Sequence, residues 1–176
     1  GQQRRQFFAD LERLGREARG SKRRLAVAIA DLDGFKPIND RYGHLIGDSV
    51  LQMVGSRLAS GFGEFRNVYR LGGDEFAFIA AEVSDDDLLL AQADAVIASV
   101  RQHMALGDIC VSTGCTIGIA IAPDAFTPNA LYEKADYALY HAKRAGRNRA
   151  LLFTAEHERL IRSQAIVEQE LRGADF

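Results

Sequence analysis

No apolar run in these 176 residues approaches the roughly 20 needed to cross a bilayer, and Gly1-Gln2-Gln3-Arg4-Arg5 lacks the apolar core of a signal peptide. The expectation is a cytoplasmic domain with no membrane contact. A first residue of Gly rather than Met suggests an excised fragment or a cleaved tag. Cysteine is scarce. Cys110 and Cys115 sit five apart in one apolar stretch, where a continuous strand turns them to opposite faces, so two reduced core thiols are expected rather than a disulfide. The four histidines, His44, His103, His141 and His157, show no H-x-x-x-H or C-x-x-C spacing, which argues against zinc. Positive charge is not in excess either: a net charge of -2 and a pI of about 6.1 argue against a nucleic-acid partner. There is no G-x-x-x-x-G-K-[ST] loop, and Gly61-Phe62-Gly63 lacks the third glycine of a dinucleotide fingerprint.

What remains is ordinary for one soluble globular domain: 47% hydrophobic and 26% charged residues, with no internal repeat. Phe7, Phe8, Leu11 and Leu14 mark an amphipathic helix over residues 4–19. Residues 25–30 form a continuous apolar run that suits a strand buried on both faces, and it ends in Asp31-Leu32-Asp33-Gly34. Residues 35–44 are polar and broken by Pro37, so a loop with at most a helical turn is expected. A helix follows over 45–59, then a hairpin to about Ala81. Ser84 offers an N-cap for a helix that carries Leu89, Ala93, Val96, Ile97, Val100 and Met104 as its buried stripe. Residues 109–121 read as one strand with a bend at Gly114; Thr127-Pro128 starts a helix that runs to Gly146, and 149–153 is a last strand. The alternation predicts an α/β (α+β) domain over residues 1–154, with a central, mostly antiparallel sheet flanked by helices. Residues 155–176 form a helical tail.

The hairpin carries the chemistry. Asn67 to Leu71 and Phe76 to Ala80 alternate around Gly72-Gly73, whose positive φ angles a tight turn requires, and Asp74 and Glu75 follow at once. Glycine also lets another molecule approach the backbone closely. If the strand ending at Asp31 and Asp33 neighbours this hairpin, up to four carboxylates converge, and like charges about 4 Å apart repel by roughly 4 kcal/mol at an effective dielectric of 20. A divalent cation reverses that sign. Oxygen ligands without Cys or His point to Mg2+ or Mn2+, which keep waters and favour substrate phosphates as remaining ligands. Calcium is the rival, but an EF-hand loop starting at Asp31 has its Gly too early, at Gly34, and Tyr42 where Glu is needed. Lys143, Arg144, Arg147 and Arg149 cluster at a helix end, where they serve either the helix dipole or a phosphate. Asn39 and Asp48 match the edge of guanine, or equally well cap loops.

Asp31-Leu32-Asp33-Gly34-Phe35-Lys36-Pro37-Ile38-Asn39-Asp40, Gly43-His44 with Gly47-Asp48, Arg70 to Phe76, Ala135-Asp136 with Ala138-Leu139-Tyr140, and Lys143 with Gly146-Arg147-Asn148 fall in order, and together they resemble the GGDEF family of diguanylate cyclases over residues 4–153. The resemblance implies a palm-like nucleotidyl-cyclase fold that condenses two GTP into cyclic di-GMP with release of pyrophosphate, two facing domains each holding one GTP. Carried onto this sequence, it implies that Asp31, the Leu32 carbonyl, Asp74 and Glu75 hold two divalent ions per half-site, with Asp74 or Glu75 assisting removal of the ribose 3′ proton. It further implies that Asn39 and Asp48 read guanine, that Gly72 and Gly73 admit the nucleotide, and that Phe35, Lys36, Lys143 and Arg147 hold phosphates. Three positions depart from the pattern. The R-x-x-D product-inhibition site is replaced by Gly63-Glu64-Phe65-Arg66, the usual N-terminal D-x-L-T-G-L-x-N-R-R start appears only as Gln3-Arg4-Arg5-Gln6-Phe7, which suggests truncation, and the tail resembles a connection to an EAL phosphodiesterase domain. That tail leaves an alternative open: a catalytically silent GTP-binding module that regulates an EAL neighbour. Upstream sensory domains are a further expected partner.

Overall fold

The computed structural model describes residues 1–173. In chain order it contains α1 (Gln2–Ala18), β1 (Ala26–Asp33), α2 (Phe35–Tyr42), α3 (His44–Leu58), β2 (Phe65–Gly72), β3 (Glu75–Ala80), α4 (Asp86–Val100), β4 (Met104–Leu106), β5 (Ile109–Val111), β6 (Gly114–Ile121), α5 (Pro128–Arg144), β7 (Ala150–Leu152) and α6 (Ala155–Gly173). The main sheet has the order β2-β3-β1-β6-β7, antiparallel throughout except for the parallel β6–β7 pair, and β4–β5 is a separate hairpin. The expected mostly antiparallel sheet is therefore present.

Strand β1 lies at the centre because Ala26 to Ala30 can be buried on both faces, and all five are. Its alternate residues serve two cores. Ala26, Ala28, Ala30 and Leu32 pack with α2, α3 and α4 through Phe35, Ile38, Val54 and Leu89. Val27 and Ile29 pack with α1 and α5 through Phe7, Leu11, Leu131 and Leu139. The same alternation continues to the strand's end, so Asp31 and Asp33 are presented on the face that α5 covers. One more pleat places them at the rim of the core.

Residues 35–42 are a full helix rather than the expected loop. Pro37 is the third residue of α2, within the first turn, where the backbone N–H has no intrahelical partner to lose. Gly34, at φ 80°, turns the chain out of β1 to start it. The expected single strand over 109–121 is instead β5 and β6, and Met104 belongs to β4 rather than to α4. The two-residue turn Gly107-Asp108, with Gly107 at φ 64°, is the hairpin signal that joins β4 to β5, and Ser112-Thr113 break the run between β5 and β6. Cys115 is buried, but Cys110 is exposed on the short hairpin, so only one thiol is in the core. Asp85, not Ser84, caps α4 by accepting from the Asp87 N–H, while Ser84 Oγ donates to Glu64. Thr127 caps α5 with Pro128 at its first position, as expected. Helix α6 has no buried residue, and residues 174–176 of the tail lie outside the described residues.

Candidate functional site

Strand β1 and the tip of the β2–β3 hairpin bring the acidic residues together. Asp31 of β1 lies opposite Glu75 of β3 in the ladder, and the Leu32 N–H donates to the Asp74 carbonyl at 3.2 Å, which ties the hairpin tip to the central strand. Gly72 and Gly73 take φ of 146° and 51°, and a side chain added at either would meet nothing. Their role is therefore the backbone shape and the open approach, not packing. Arg70 clamps the tip by donating two hydrogen bonds to the Gly73 carbonyl, at 2.9 and 3.1 Å.

Helix α5 supplies the surroundings. Lys143 forms an ion pair with Asp31, Tyr132 donates its hydroxyl to Glu75 Oε1 at 2.9 Å, and Asp136 lies close enough to raise the Glu75 carboxyl. Burial raises the Asp74 carboxyl above the usual carboxylate range, and the charge of Asp31 raises it further. Glu75 is likewise raised by burial, against the pull of the Tyr132 hydrogen bond, with Asp31 and Asp136 adding to the rise. Asp136 is raised by burial and by Asp31, against Lys143. Burial and Glu75 in turn push the Tyr132 hydroxyl up to about 12. Tyr132 was not legible as a site residue, because nothing in the sequence aims its hydroxyl at position 75.

These side chains fit a hard divalent cation. The donors are all oxygen, Asp74 and Glu75 are raised first by burial and then by the charge of Asp31, a cost that a cation relieves, and the Lys143 ammonium already stands where positive charge is favoured. Among the described residues no three carboxylate, His or Cys side chains close into a cage of their own. Mg2+ needs no such cage, since water and substrate phosphates complete its shell.

The expected guanine readers are brought together by the α2–α3 packing. Asn39 Oδ1 is buried and accepts no hydrogen bond, and it lies against Gly47, where an added Cβ would be 1.7 Å away. Asp48, the next residue, is exposed and lines a cleft of about 560 Å³ with Leu51, Gly55, Arg70 and Phe76. Of the expected phosphate holders, Lys36 is exposed, whereas the Phe35 side chain belongs to the core, which leaves Phe35 its backbone N–H at the start of α2 as the group to offer. Arg147 is exposed and pairs with Asp33 at 3.4 Å.

The raised carboxyls carry a stability consequence. An acid whose folded pKa lies above its unfolded value binds protons more tightly in the native state, so stability falls as pH rises through the raised values of Asp74, Glu75 and Asp136. Thermal unfolding is expected to show Mg2+ raising Tm at neutral pH, with the gain vanishing in mild acid, where protons compete for the same oxygens. A Mg2+ effect independent of pH would contradict this assignment.

Residues 2–149 match the protein family described as "Diguanylate cyclase, GGDEF domain". Diguanylate cyclase TpbB of Pseudomonas aeruginosa is 41% identical over 164 residues, covering 92% of this chain and 38% of the relative. Cyclic di-GMP phosphodiesterase PdeR of Escherichia coli is 35% identical over 152 residues, covering 86% of this chain and 23% of the relative. The chain thus spans well under half the length of these curated relatives. The solved structure of an N-terminally truncated TpbB from P. aeruginosa, comprising only its GGDEF domain, matches with a TM-score of 0.81 at 41% identity, covering 90% of this chain and 94% of that one. The GGDEF domain of DgcB from Caulobacter crescentus, solved in complex with c-di-GMP, matches with a TM-score of 0.75 at 27% identity, covering 85% and 89%. The sheet, its flanking helices and the Asp31/Glu75 pairing thus form an α+β palm-like fold, and the chain belongs to the GGDEF domain family of diguanylate cyclases.

Proposed function

We propose that this chain condenses two GTP molecules into cyclic di-GMP with release of pyrophosphate, working as a symmetric dimer in which each copy presents one nucleotide. The observation that carries the reading is the meeting of Asp31 and Glu75 on neighbouring central strands, with Asp74 at the tip beside them. Asp31, the Leu32 carbonyl, Asp74 and Glu75 are the groups to hold two Mg2+ or Mn2+ ions. Such ions lower the pKa of a ribose 3′-hydroxyl and neutralise charge at the α-phosphorus. The rest is done by the chain. Asp74 or Glu75 receives the 3′ proton, Asn39 and Asp48 orient guanine, and Gly72 and Gly73 leave their backbone open to the triphosphate. With Asp31 engaged by a cation, Lys143 would be free to join Lys36, Arg147 and the Phe35 N–H on the phosphates. A facing copy is needed because one site supplies an attacking hydroxyl and the other the phosphorus it attacks.

Residues 63–66 offer no product-inhibition site in this reading: Glu64 Oε1 accepts from Ser84, Phe65 is buried, and Arg66 donates to the Gly63 carbonyl. Incubating the protein with GTP and Mg2+ at high protein concentration, then separating the nucleotides, tests the function. Cyclic di-GMP supports it. Tight GTP binding without turnover supports the alternative that the domain regulates an EAL neighbour joined through residues 155–176, a reading favoured by the 35% identity to a relative named as a phosphodiesterase.

The guanine subsite yields a sharper expectation. Gly47→Ala drives Asn39 away from α3, since the new Cβ overlaps its Oδ1. Displacing one of two base-reading groups costs about 1.5–3 kcal/mol of binding, so GTP affinity measured by calorimetry is expected to fall about 10- to 100-fold, with Mg2+ binding unchanged. Unchanged GTP affinity would remove Asn39 from the site.

A further inference from the structure

Asp33 lies two residues beyond Asp31 on the same face of β1, so its position alone suits a metal ligand as well as a structural role. Its contacts separate the two. Oδ1 accepts from Thr116 Oγ1 at 2.9 Å and from Arg147 Nη1 at 3.4 Å, and Oδ2 accepts from Thr116 Oγ1 at 2.7 Å and from the Asn148 N–H at 3.1 Å. The Asn148 N–H also reaches Thr116 Oγ1 at 2.8 Å. Both carboxylate oxygens are therefore engaged by protein donors, and Thr116 is fully buried beneath them. Gly114, opposite Asp33 in the β1–β6 ladder, keeps the space clear, since a Cβ there would lie 3.1 Å from Asp33 Oδ2.

These contacts act on an unusual backbone. Arg147 and Asn148 have φ of 63° and 50°, and among the described residues they are the non-glycine positions with positive φ. Two consecutive L residues in the left-handed region cost about 1–2 kcal/mol each unless the surroundings hold them there. The donors on Asp33 come from this turn and from the strand beneath it, and the turn directly follows the helix that carries Lys143.

We propose that Asp33 is a positioning residue and not a metal ligand: with Thr116 it latches the strained Arg147-Asn148 turn and so fixes where Arg147 is offered to a nucleotide phosphate. The proposal rests on the nucleotide-binding reading above for its phosphate arm, while the latch itself is read separately. If it is right, relieving the backbone strain replaces the latch. Glycine at 148 adopts the same conformation at no steric cost, so Asn148→Gly rescues the loss of Asp33.

The test compares wild type, Asp33→Asn, Thr116→Val, and Asp33→Asn combined with Asn148→Gly. Asp33→Asn is expected to keep the Tm increase given by Mg2+ alone, to speed hydrogen exchange at the Asn148 amide, and to weaken calorimetric GTP binding about tenfold, the loss of one charge-assisted contact. Thr116→Val, which leaves every carboxylate in place, is expected to shift exchange and GTP affinity in the same direction. The added Asn148→Gly recovers most of the GTP affinity. Loss of the Mg2+ shift in Asp33→Asn overturns the proposal in favour of a metal ligand, and so does a GTP defect that Asn148→Gly leaves untouched. Unchanged Asn148 exchange in Asp33→Asn overturns the latch. A wild-type chain that takes up no GTP overturns the nucleotide reading and the phosphate arm with it, and is told apart by the exchange data, which need no nucleotide.

Discussion

Replacing Asp74 with asparagine is expected to abolish cyclic di-GMP formation, by about 10³-fold or more, in a chain that folds normally and resists heat better than wild type without divalent ions. Both halves follow from one electrostatic situation. Asp74 is half-buried beside Asp31, so its negative charge opposes folding, and its pKa is raised accordingly. Asparagine keeps the shape and removes the charge. The same charge is what a phosphate-bearing cation needs, and a neutral amide oxygen is a much weaker ligand for it. Nucleotide separation after incubation with GTP and Mg2+ reads the first half, and thermal unfolding in chelator reads the second. An Asp74→Asn chain as active as wild type would remove the hairpin carboxylates from the chemistry. One active but less stable in chelator would mean that the side chain is structural. The trade between stability and activity is the general signature of a site built from repelling groups.

Gly118→Ala is expected to leave little folded protein at 37 °C. Gly118 lies on β6, opposite Ile29 of the central strand, and a Cβ there would fall 2.2 Å from both the Ala135 carbonyl oxygen and the Leu139 nitrogen of α5. Those are backbone atoms, so no rotamer change relieves the overlap. Helix α5 can yield only by lifting Leu131, Ala135 and Leu139 out of the core they share with Val27 and Ile29. Overpacking of this kind costs about 3 kcal/mol or more, a large share of the 5–15 kcal/mol that holds a domain together. Gly55→Ala is the control: it is a helical position where an added Cβ meets nothing, and it is expected to be neutral or to stabilise by up to about 1 kcal/mol. Urea denaturation of the two variants decides the point, and a Gly118→Ala protein with wild-type midpoint would mean that α5 and β6 do not meet as described.

How much of this was legible in the sequence depended on whether a signal was local. The apolar run 25–30, the Gly72-Gly73 turn and the Thr127-Pro128 start are each set by neighbouring residues, and each appears in the structure as read. The conditional step, that the strand bearing Asp31 neighbours the hairpin, could not be read from spacing, because strand order is a property of the whole sheet. The β1–β3 ladder supplies it. Pro37 misled because a proline in a first turn breaks nothing, and 109–121 read as one strand because Ser112-Thr113 is too short a polar break to stand out among apolar neighbours. Asp33 and Tyr132 were invisible in their actual roles. Their partners lie 83 and 57 residues away in the chain, and no periodicity encodes a contact of that range.

The link between α1 and the hairpin strand has a mechanical meaning. Gln3 accepts from the Arg70 N–H at 2.8 Å, and Asp10 accepts from the Tyr69 hydroxyl at 2.5 Å, so two points on one rigid rod are fastened to consecutive residues of β2. Arg70 then grips the Gly73 carbonyl next to Asp74. A shift of α1 against the sheet would therefore pull on Tyr69 and Arg70 together, and through Arg70 on the Gly73 carbonyl beside Asp74.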